Sequence, residues 1–261
     1  MIFLIQRNLF SGKHECRLIE LLDRYGLEYY YFDQIPFTDT VALPDVDLIN
    51  NNVWLFGSVR ADMNIAKLYP NLYPGSFFNL NHNYEVYSQY YKDNLLNYDS
   101  VITTPDYNID EYPHDEFFAR PVEDNKIFTG QVFDKTEWKK FIHGQLSNGH
   151  HHGLNINTKI QIASCKNIID EIRVYIIKGK PITASYYKRN GYIVYEECTD
   201  PLVFDFVQKM VDEYIIAESF VMDVCNTING LKIVECGCIN SCGFYDIDLS
   251  KLLQSIIEKY S

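Results

Sequence analysis

The feature that most constrains the fold is a pair of apolar runs near the C-terminus, each of which contains one acidic residue. Residues 220–225 read FVMDVC, residues 231–236 read LKIVEC, and an Asn-Gly pair at 229–230 lies between them. Apolar runs joined by Asn-Gly predict a β-hairpin, because this dipeptide accepts the positive φ angles of tight hairpin turns. A carboxylate is seldom buried in such a strand without a cation or a metal ion beside it. Asp223 and Glu235 are therefore candidate ligands, and their oxygens suit Mg²⁺.

The register of this hairpin decides whether the two acids lie on one face of the sheet. A strict two-residue Asn-Gly turn pairs Asp223 with Cys236 and leaves Glu235 on the opposite side. A three-residue connection with a bulge instead places Asp223 and Glu235 on one face, together with Cys225 and Gly237. We predict the bulged register or an equivalent slip, because the strict register would destroy the metal site.

A strand with one polar side precedes the hairpin. Over residues 168–177, alternation puts three aliphatic residues on one face and Glu171, Arg173 and Tyr175 on the other. A guanidinium on a half-covered face needs a partner, since leaving it alone there is costly. The residues leave two interpretations open for Arg173, an ion pair with Glu171 or a contact with a phosphate.

A third segment begins as a strand at residue 117, ends in Arg120 and Pro121, and continues through an acidic turn to Lys126. If it folds back as a hairpin, its two cations could face one anion. On these residues alone the favoured interpretation is two surface charges in weak ion pairs, each worth about 0–1 kcal/mol.

The whole chain predicts a mixed α/β fold. In the first part, strands are predicted at 1–5, 27–32 and 53–56, and helices follow Ser11, cover 59–69 and cover 84–96. From residue 117 on, strands are predicted at 117–122, 126–133, 156–163, 171–178, 181–187, 192–196, 220–225 and 231–236, with helices near 134–142, 200–215 and 247–259. The polar, proline-containing stretch 97–113 is the predicted boundary between a domain over 1–115 and a second over 116–261.

Composition narrows the class of protein. The chain has 261 residues, of which 47% are hydrophobic and 22% charged, as in folded proteins of one or two domains. Its formal charge of −12 disfavours general nucleic-acid binding. The seven cysteines do not follow the pattern of a small disulfide scaffold, which favours a reducing cytosol.

The expected location is the cytoplasm. Only five apolar residues open the chain, too few for a signal peptide or a membrane span, so no membrane partner is expected. The abundance of Tyr, Asn, Ile and Lys is typical of AT-rich coding sequences, as in many viruses and phages, and in that case the location would be the host cytoplasm.

Two further patterns carry less weight. His150, His151 and His152 form a run between two glycines, which would suit a metal hydrolase. Adjacent histidines on a loop point in different directions, whereas metal ligands usually come from separate elements, so we expect a loop that covers phosphates or contacts substrate. The C-x-C-x₃-C spacing at 236–242 fits no strong zinc pattern, and buried thiols are the favoured interpretation.

The three segments, in this order, resemble the ATP-grasp superfamily, specifically its divergent clade with an Arg-and-Lys signature. That clade includes the eukaryotic cell-division-cycle translation-initiation regulator and many phage-encoded members. The matching stretches are 117–134, 168–187 and 220–248. The resemblance implies an ATP-grasp fold, with two α+β subdomains (about 116–163 and 164–261) clasping ATP after a small Rossmann-like domain over 1–115.

The resemblance also implies nucleotide-binding residues. Arg120 takes the position of a phosphate-binding lysine in most ATP-grasp proteins, and Lys126 follows on the next strand. Arg173 would approach the γ-phosphate, which makes Arg120 and Arg173 the predicted catalytic residues. The adenine would meet the hinge strand 160–163, at Gln161, Ile162 and Ala163.

For the metal, the resemblance implies Mg²⁺ bound by Asp223 and Glu235. The usual Glu-x-Asn pattern of the superfamily reads Glu-Cys-Gly here, so Gly237 supplies no side-chain ligand. Asn240, from the following loop, is the predicted substitute, and a weakened second metal is the alternative.

The activity implied is carboxylate–amine ligation. ATP would phosphorylate a carboxylate to an acyl phosphate, and an amine would displace the phosphate, on a small molecule, peptide or protein. The alternative is an ATP-binding assembly factor that holds a partner protein without ligase turnover, to which the Gly237 departure lends weight.

Overall fold

The computed structural model describes residues 1–7, 9, 13–36, 38–69, 77–122, 127–147 and 154–261. Lys126 and the run from His150 to His152 lie outside the described residues, so the predictions made for them stay untested. Three sheets organise the described part of the chain.

The first sheet is mostly parallel and lies in the N-terminal part. Its strands and helices are β1 (Ile2–Gln6), α1 (Lys13–Arg24), β2 (Glu28–Gln34), β3 (Val41–Ala42), β4 (Val53–Phe56) and α2 (Val59–Leu68), with the strand order β3-β2-β1-β4. β1 pairs in parallel with both β2 and β4. All four residues of β4 are buried, as expected for an apolar strand covered on both faces. The Ser58 side chain caps α2 by accepting a hydrogen bond from the Ala61 N–H.

The second sheet is antiparallel. It comprises β5 (Val101–Thr103), β6 (Glu116–Pro121), β7 (Gln131–Asp134) and β8 (Ile160–Ser164) in the order β5-β8-β6-β7, accompanied by α3 (Tyr84–Tyr91) and α4 (Lys135–Ser147). Its core is aromatic, because Trp138 of α4 packs against Phe117 and Phe133 of the sheet with ring centroids 5.8 and 5.1 Å away. Such edge-to-face contacts are favourable beyond the apolar area that they bury.

The third sheet is antiparallel and five-stranded. Its elements are β9 (Asp170–Ile177), β10 (Lys180–Arg189), β11 (Tyr192–Glu197), α5 (Pro201–Glu213), β12 (Ser219–Thr227), β13 (Gly230–Gly237) and α6 (Leu249–Tyr260), with the strand order β11-β10-β9-β12-β13. Ile172, Val174 and Ile176 of β9 are fully buried, which confirms the predicted apolar face. The long central strands β9 and β12 therefore provide a fixed platform for side chains on the other face.

The described residues divide into two compact units. One joins Met1–His82 to Ile168–Ser261, and the other is Asn83–Asn167. Within the first unit, the Trp54 ring of β4 lies 5.3 Å from the ring of Tyr260 in α6. The predicted boundary near residue 115 falls inside the second unit, and the division into domains stays a prediction.

The predicted secondary structure is largely confirmed. Each of the eight strands predicted after residue 117 overlaps one of the strands β6 to β13. The short strands β3 and β5 were not predicted, and β5 lies in the stretch that was expected to contain few strands. None of the described helices is long and apolar enough to cross a membrane.

Candidate functional site

The C-terminal hairpin places its two acids directly opposite each other. Asp223 of β12 pairs with Glu235 of β13, which confirms that both lie on one face. The turn differs from the prediction, because Thr227 pairs with Gly230 and the two-residue loop is therefore 228–229. Continued from that turn, a regular ladder would place Val234 opposite Asp223. A bulge between the pairs of Val224 and Asp223 shifts the register and brings Glu235 there instead.

The neighbouring strand adds a cation at the same level. Arg173 of β9 is the register partner of Asp223, and its Nε and Nη2 donate to Oδ1 and Oδ2 of Asp223 at 2.8 Å each. Both carboxylate oxygens accept, so the pair is ionised, and this two-bond geometry is the strong form of an Arg–carboxylate contact. The side chains are only 14% and 3% exposed.

Of the two partners considered for Arg173, Glu171 is therefore wrong as its ion-pair partner. Glu171 instead accepts a hydrogen bond from the Tyr187 hydroxyl at 3.0 Å and pairs with the Lys188 ammonium at 3.1 Å. Alternation had placed Glu171 and Arg173 correctly on one face, but it cannot show which neighbouring strand supplies the partner.

Burial and charge act in opposite directions on this ion pair. Burial raises the pKa of Asp223, whereas the Arg173 charge and its hydrogen bonds lower it. Burial likewise disfavours the charged form of Arg173, but the Asp223 charge outweighs it and raises the pKa of Arg173 well above its ordinary value. The guanidinium is thus charged at any pH at which the protein is folded.

Tyrosine rings cover the guanidinium. The Arg173 Cζ lies 4.9 Å from the ring centroid of Tyr245 and 5.9 Å from that of Tyr187, distances at which cation–π attraction operates. Tyr245 stacks on Tyr187 at 5.1 Å and on Tyr195 at 5.2 Å. Its backbone has a φ of +52°, and its carbonyl accepts from Arg17 Nη1 at 3.0 Å.

Sequence reasoning missed both rings for identifiable reasons. Tyr187 lies at a bulge in β10, where the register with β9 shifts between Tyr186 and Lys188. A bulge re-aims a side chain in a way that strict alternation does not show. Tyr245 lies in the irregular segment after β13, and its position depends on a contact with Arg17, 228 residues away in the sequence.

Asn240 lies within the core instead of beside the two acids. Its side chain is fully buried, and its amide NH₂ donates to the Leu55 carbonyl at 2.7 Å. Its Oδ1 accepts from the Phe77 N–H at 3.0 Å and from the Cys238 thiol at 3.4 Å. Both lone pairs of this oxygen are engaged, so the geometry gives no support to a metal-binding role for Asn240.

The acids nevertheless fit Mg²⁺. Two hard carboxylate oxygen donors on one face, with room left for water and phosphate oxygens, are a common protein contribution to a magnesium site. In the described ranges, no three His, Cys, Asp or Glu side chains are grouped closely enough to hold a metal by themselves. Gly237 pairs with Val221, and a Cβ there would meet Val221 Cγ2 at 3.3 Å, so a larger residue would need local movement.

The predicted nucleotide residues of the other unit lie on two adjacent strands. Arg120 of β6 is the register partner of Gln161 of β8, and the Gln161 amide donates to Ser100 Oγ at 2.7 Å. Ile162 and Ala163 are fully buried. β8 lies between β5 and β6, so its ladder groups already have strand partners. The adenine role predicted for this strand stays a prediction.

The sequence was compared with known families. The family that matches is described as an ATP-grasp domain, family 3 of the clade with the Arg-and-Lys signature, and the match covers residues 87–256, about two thirds of the chain. No curated protein matches the sequence significantly.

Solved structures share the fold over nearly the whole chain. The D-alanine–D-alanine ligase from Bacillus anthracis has 13% identity and a TM-score of 0.63, with 99% of this chain and 97% of that chain covered. The ATP-grasp ligase PsnB complexed with minimal precursor has 15% identity and a TM-score of 0.61, with 99% and 98% covered. The macrocyclase MdnC bound with precursor peptide MdnA, from Microcystis aeruginosa MRC, has 11% identity and a TM-score of 0.61, with 98% and 99% covered. The predicted ATP-grasp fold is confirmed.

Proposed function

Because the chain belongs to family 3 of the Arg-and-Lys clade of ATP-grasp domains, we propose that it is an ATP- and Mg²⁺-dependent ligase that joins a carboxylate to an amine. In this proposal the γ-phosphoryl group passes to the carboxylate, giving an acyl phosphate and ADP. The amine then attacks the acyl carbon, forms the amide bond and releases phosphate.

One observation carries the proposal: Arg173, Asp223 and Glu235 occupy one face of three adjacent strands at the same level. Phosphoryl transfer requires little covalent chemistry from the protein, because positioning and charge stabilisation supply most of the catalysis. A guanidinium suits the γ-phosphate, and the two carboxylates suit the magnesium that bridges phosphate oxygens.

The remaining nucleotide contacts are proposed from the family resemblance. Arg120 and Lys126 would contact the phosphates, and the strand of Gln161, Ile162 and Ala163 would contact adenine. The metal is assigned to Asp223 and Glu235 alone, since the Asn240 amide is engaged in the core.

The acceptor is proposed to be an amino acid or a peptide. This choice is supported by similar solved structures, one named a D-alanine–D-alanine ligase and another a macrocyclase bound with a precursor peptide. A reducing cytoplasm is proposed as the location, which the seven free cysteines support.

Turnover assays test the ligase proposal. The protein is incubated with ATP, Mg²⁺ and pairs of carboxylates and amines, and release of ADP and phosphate is measured together with the amide product. We expect ADP release that requires both substrates, and its loss in Asp223→Asn. Glu218→Gln, an exposed change near the start of β12, is the control and should retain turnover. AMP and pyrophosphate as products would contradict the acyl-phosphate route.

A second candidate, an ATP-binding assembly factor without turnover, is favoured by one observation. Gly237 has no side-chain ligand and Asn240 cannot replace it, so fewer protein oxygens are available to the metal than in the usual superfamily pattern. Tight MgATP binding without ADP release, across all substrate pairs, would favour this function over the ligase.

A further inference from the structure

The cation and the acid that the proposed function assigns to different partners are bound to each other in this structure. Arg173, assigned to the γ-phosphate, donates to both carboxylate oxygens of Asp223, assigned to the metal. The pair is almost fully buried, with Asp223 only 3% exposed. Neither residue can perform its proposed role until this contact has at least partly opened.

A divalent cation alone has little means of opening the pair. It would have to approach Asp223 against the positive guanidinium, and it offers Arg173 no replacement partner. A buried guanidinium left without an anion is strongly destabilised, because it has lost water on one side and its counter-charge on the other.

A triphosphate changes this balance. Its oxygens accept the same two-bond contact from a guanidinium that a carboxylate accepts, so Arg173 can exchange one anion for another. The exchange frees the oxygens of Asp223, and the metal that accompanies the triphosphate can then bind them together with Glu235.

We propose that Arg173 keeps the Asp223–Glu235 pair closed to divalent cations until a triphosphate takes over its guanidinium. The inference rests on the proposed function, because it takes the triphosphate from there. It assigns to Arg173 a second role in the same site, the exclusion of metal in the absence of nucleotide, so that metal and nucleotide bind as a coupled pair.

The tyrosine cover supports an exchange in place. The Tyr245 ring contacts the guanidinium at 4.9 Å, and Arg17 fixes the Tyr245 backbone. A ring face attracts the cation without using its N–H groups, so it can hold the guanidinium beside the site while the hydrogen-bond partners change.

Arg189 offers a matched comparison within the same sheet. It pairs with Asp170 at 3.5 Å and with Glu196 at 2.7 Å, and its Cζ lies 4.0 Å from the ring centroid of Tyr186. It therefore combines an ion pair with a cation–π contact, as Arg173 does, but its side chain is 36% exposed, against 14% for Arg173.

The test measures Mn²⁺ binding without nucleotide, by electron paramagnetic resonance and calorimetry at pH 8. Mn²⁺ prefers the same oxygen ligands as Mg²⁺ and is directly detectable. We expect Arg173→Met to bind Mn²⁺ at least tenfold more tightly than the wild type. Adding Asp223→Asn should remove that gain, and Arg189→Met should bind as the wild type does. Equal Mn²⁺ affinity of the wild type and Arg173→Met would overturn the proposal.

A milder variant covers the case in which Arg173→Met does not fold. Arg173→Lys keeps the charge but offers a single point contact, so one Asp223 oxygen is less tightly engaged. Its Mn²⁺ affinity should exceed that of the wild type, and Mn²⁺ alone should raise its melting temperature but not that of the wild type. A Lys variant identical to the wild type in both measurements contradicts the proposal.

Binding of MgATP to the wild type separates the two levels of inference. If the wild type takes up MgATP and Mn²⁺ affinity is unchanged in the Arg173 variants, the exclusion of metal by Arg173 is wrong and the proposed function stands. If the wild type takes up no adenine nucleotide at all, the proposed function is wrong, and the triphosphate-driven opening is rejected with it.

Discussion

His82 is a residue whose burial creates a dependence on pH. It precedes α3, its ring stacks on Phe78 with centroids 5.4 Å apart, and its Nδ1 lies 3.2 Å from the Asn79 N–H. Burial lowers the pKa of His82 from 6.5 to about 4. The unfolded chain therefore binds a proton between these two values that the folded protein does not, and stability must fall as the pH falls through this window.

This burial gives a signed prediction. Stability from His82 should be fully present above about pH 6.5 and decline towards pH 4, by an amount on the order of 3 kcal/mol. His82→Phe keeps an aromatic ring on Phe78 but cannot titrate, so its disadvantage relative to the wild type should shrink as the pH is lowered. Urea unfolding between pH 7 and 4 measures this difference, and parallel pH profiles for the two proteins would contradict it.

At the same scale, the site residues divide into those that a pattern can reveal and those that it cannot. Asp223, Glu235 and Arg173 stand out because each is charged within an apolar strand, and such residues need partners wherever the strand lies. Asn240 looked equally suitable as an oxygen ligand, but its amide satisfies buried backbone groups of Leu55 and Phe77. Those two contacts join residues more than 160 positions apart, so local sequence contains no trace of them.

Among the elements, the strands were predictable and their irregularities were not. Alternation and turn residues located each strand of the third sheet, since a half-buried strand must alternate. Register requires more, because a single extra residue moves all following side chains to the other face. The bulges at Val234 in β13 and at Tyr187 in β10 are such extra residues, and both adjust the candidate site.

The turn of the C-terminal hairpin supports a prediction about matched glycines. Gly230 has a φ of +93°, and a Cβ there would meet nothing within 4 Å, so only backbone strain opposes a side chain. Gly230→Ala should destabilise the protein by about 1 kcal/mol. Gly144, in α4, is equally open but helical, so Gly144→Ala should stabilise by roughly 0.5–1 kcal/mol. Denaturant midpoints measure both changes, and a shared sign would contradict the assignment of strain to Gly230.

Across the whole molecule, the first and third sheets are joined through the segment that follows the metal-binding strand. Gly57 donates its N–H to the Asn240 carbonyl at 2.9 Å, and the Cys238 thiol donates to Asp62 at 3.2 Å. Burial raises the pKa of Asp62 well above its ordinary value, against the opposing hydrogen bond from Cys238. The N-terminal strands therefore contribute directly to the position of the loop after Glu235, although they are remote in sequence.

Asn240 provides the test at this scale, because structural and metal-binding roles predict opposite results for one substitution. Asn240→Asp keeps the shape and an oxygen but removes the donor to Leu55 and adds a buried charge, so it should destabilise the protein by about 3 kcal/mol or more. A metal ligand would instead gain charge and bind Mg²⁺ more tightly. Asn229→Asp, in the exposed turn of the hairpin, is the control and should change stability by less than about 0.5 kcal/mol. Thermal and urea unfolding, with Mn²⁺ titration of the same samples, decide between the roles: near-wild-type stability together with tighter metal binding would show that Asn240 is a ligand after all.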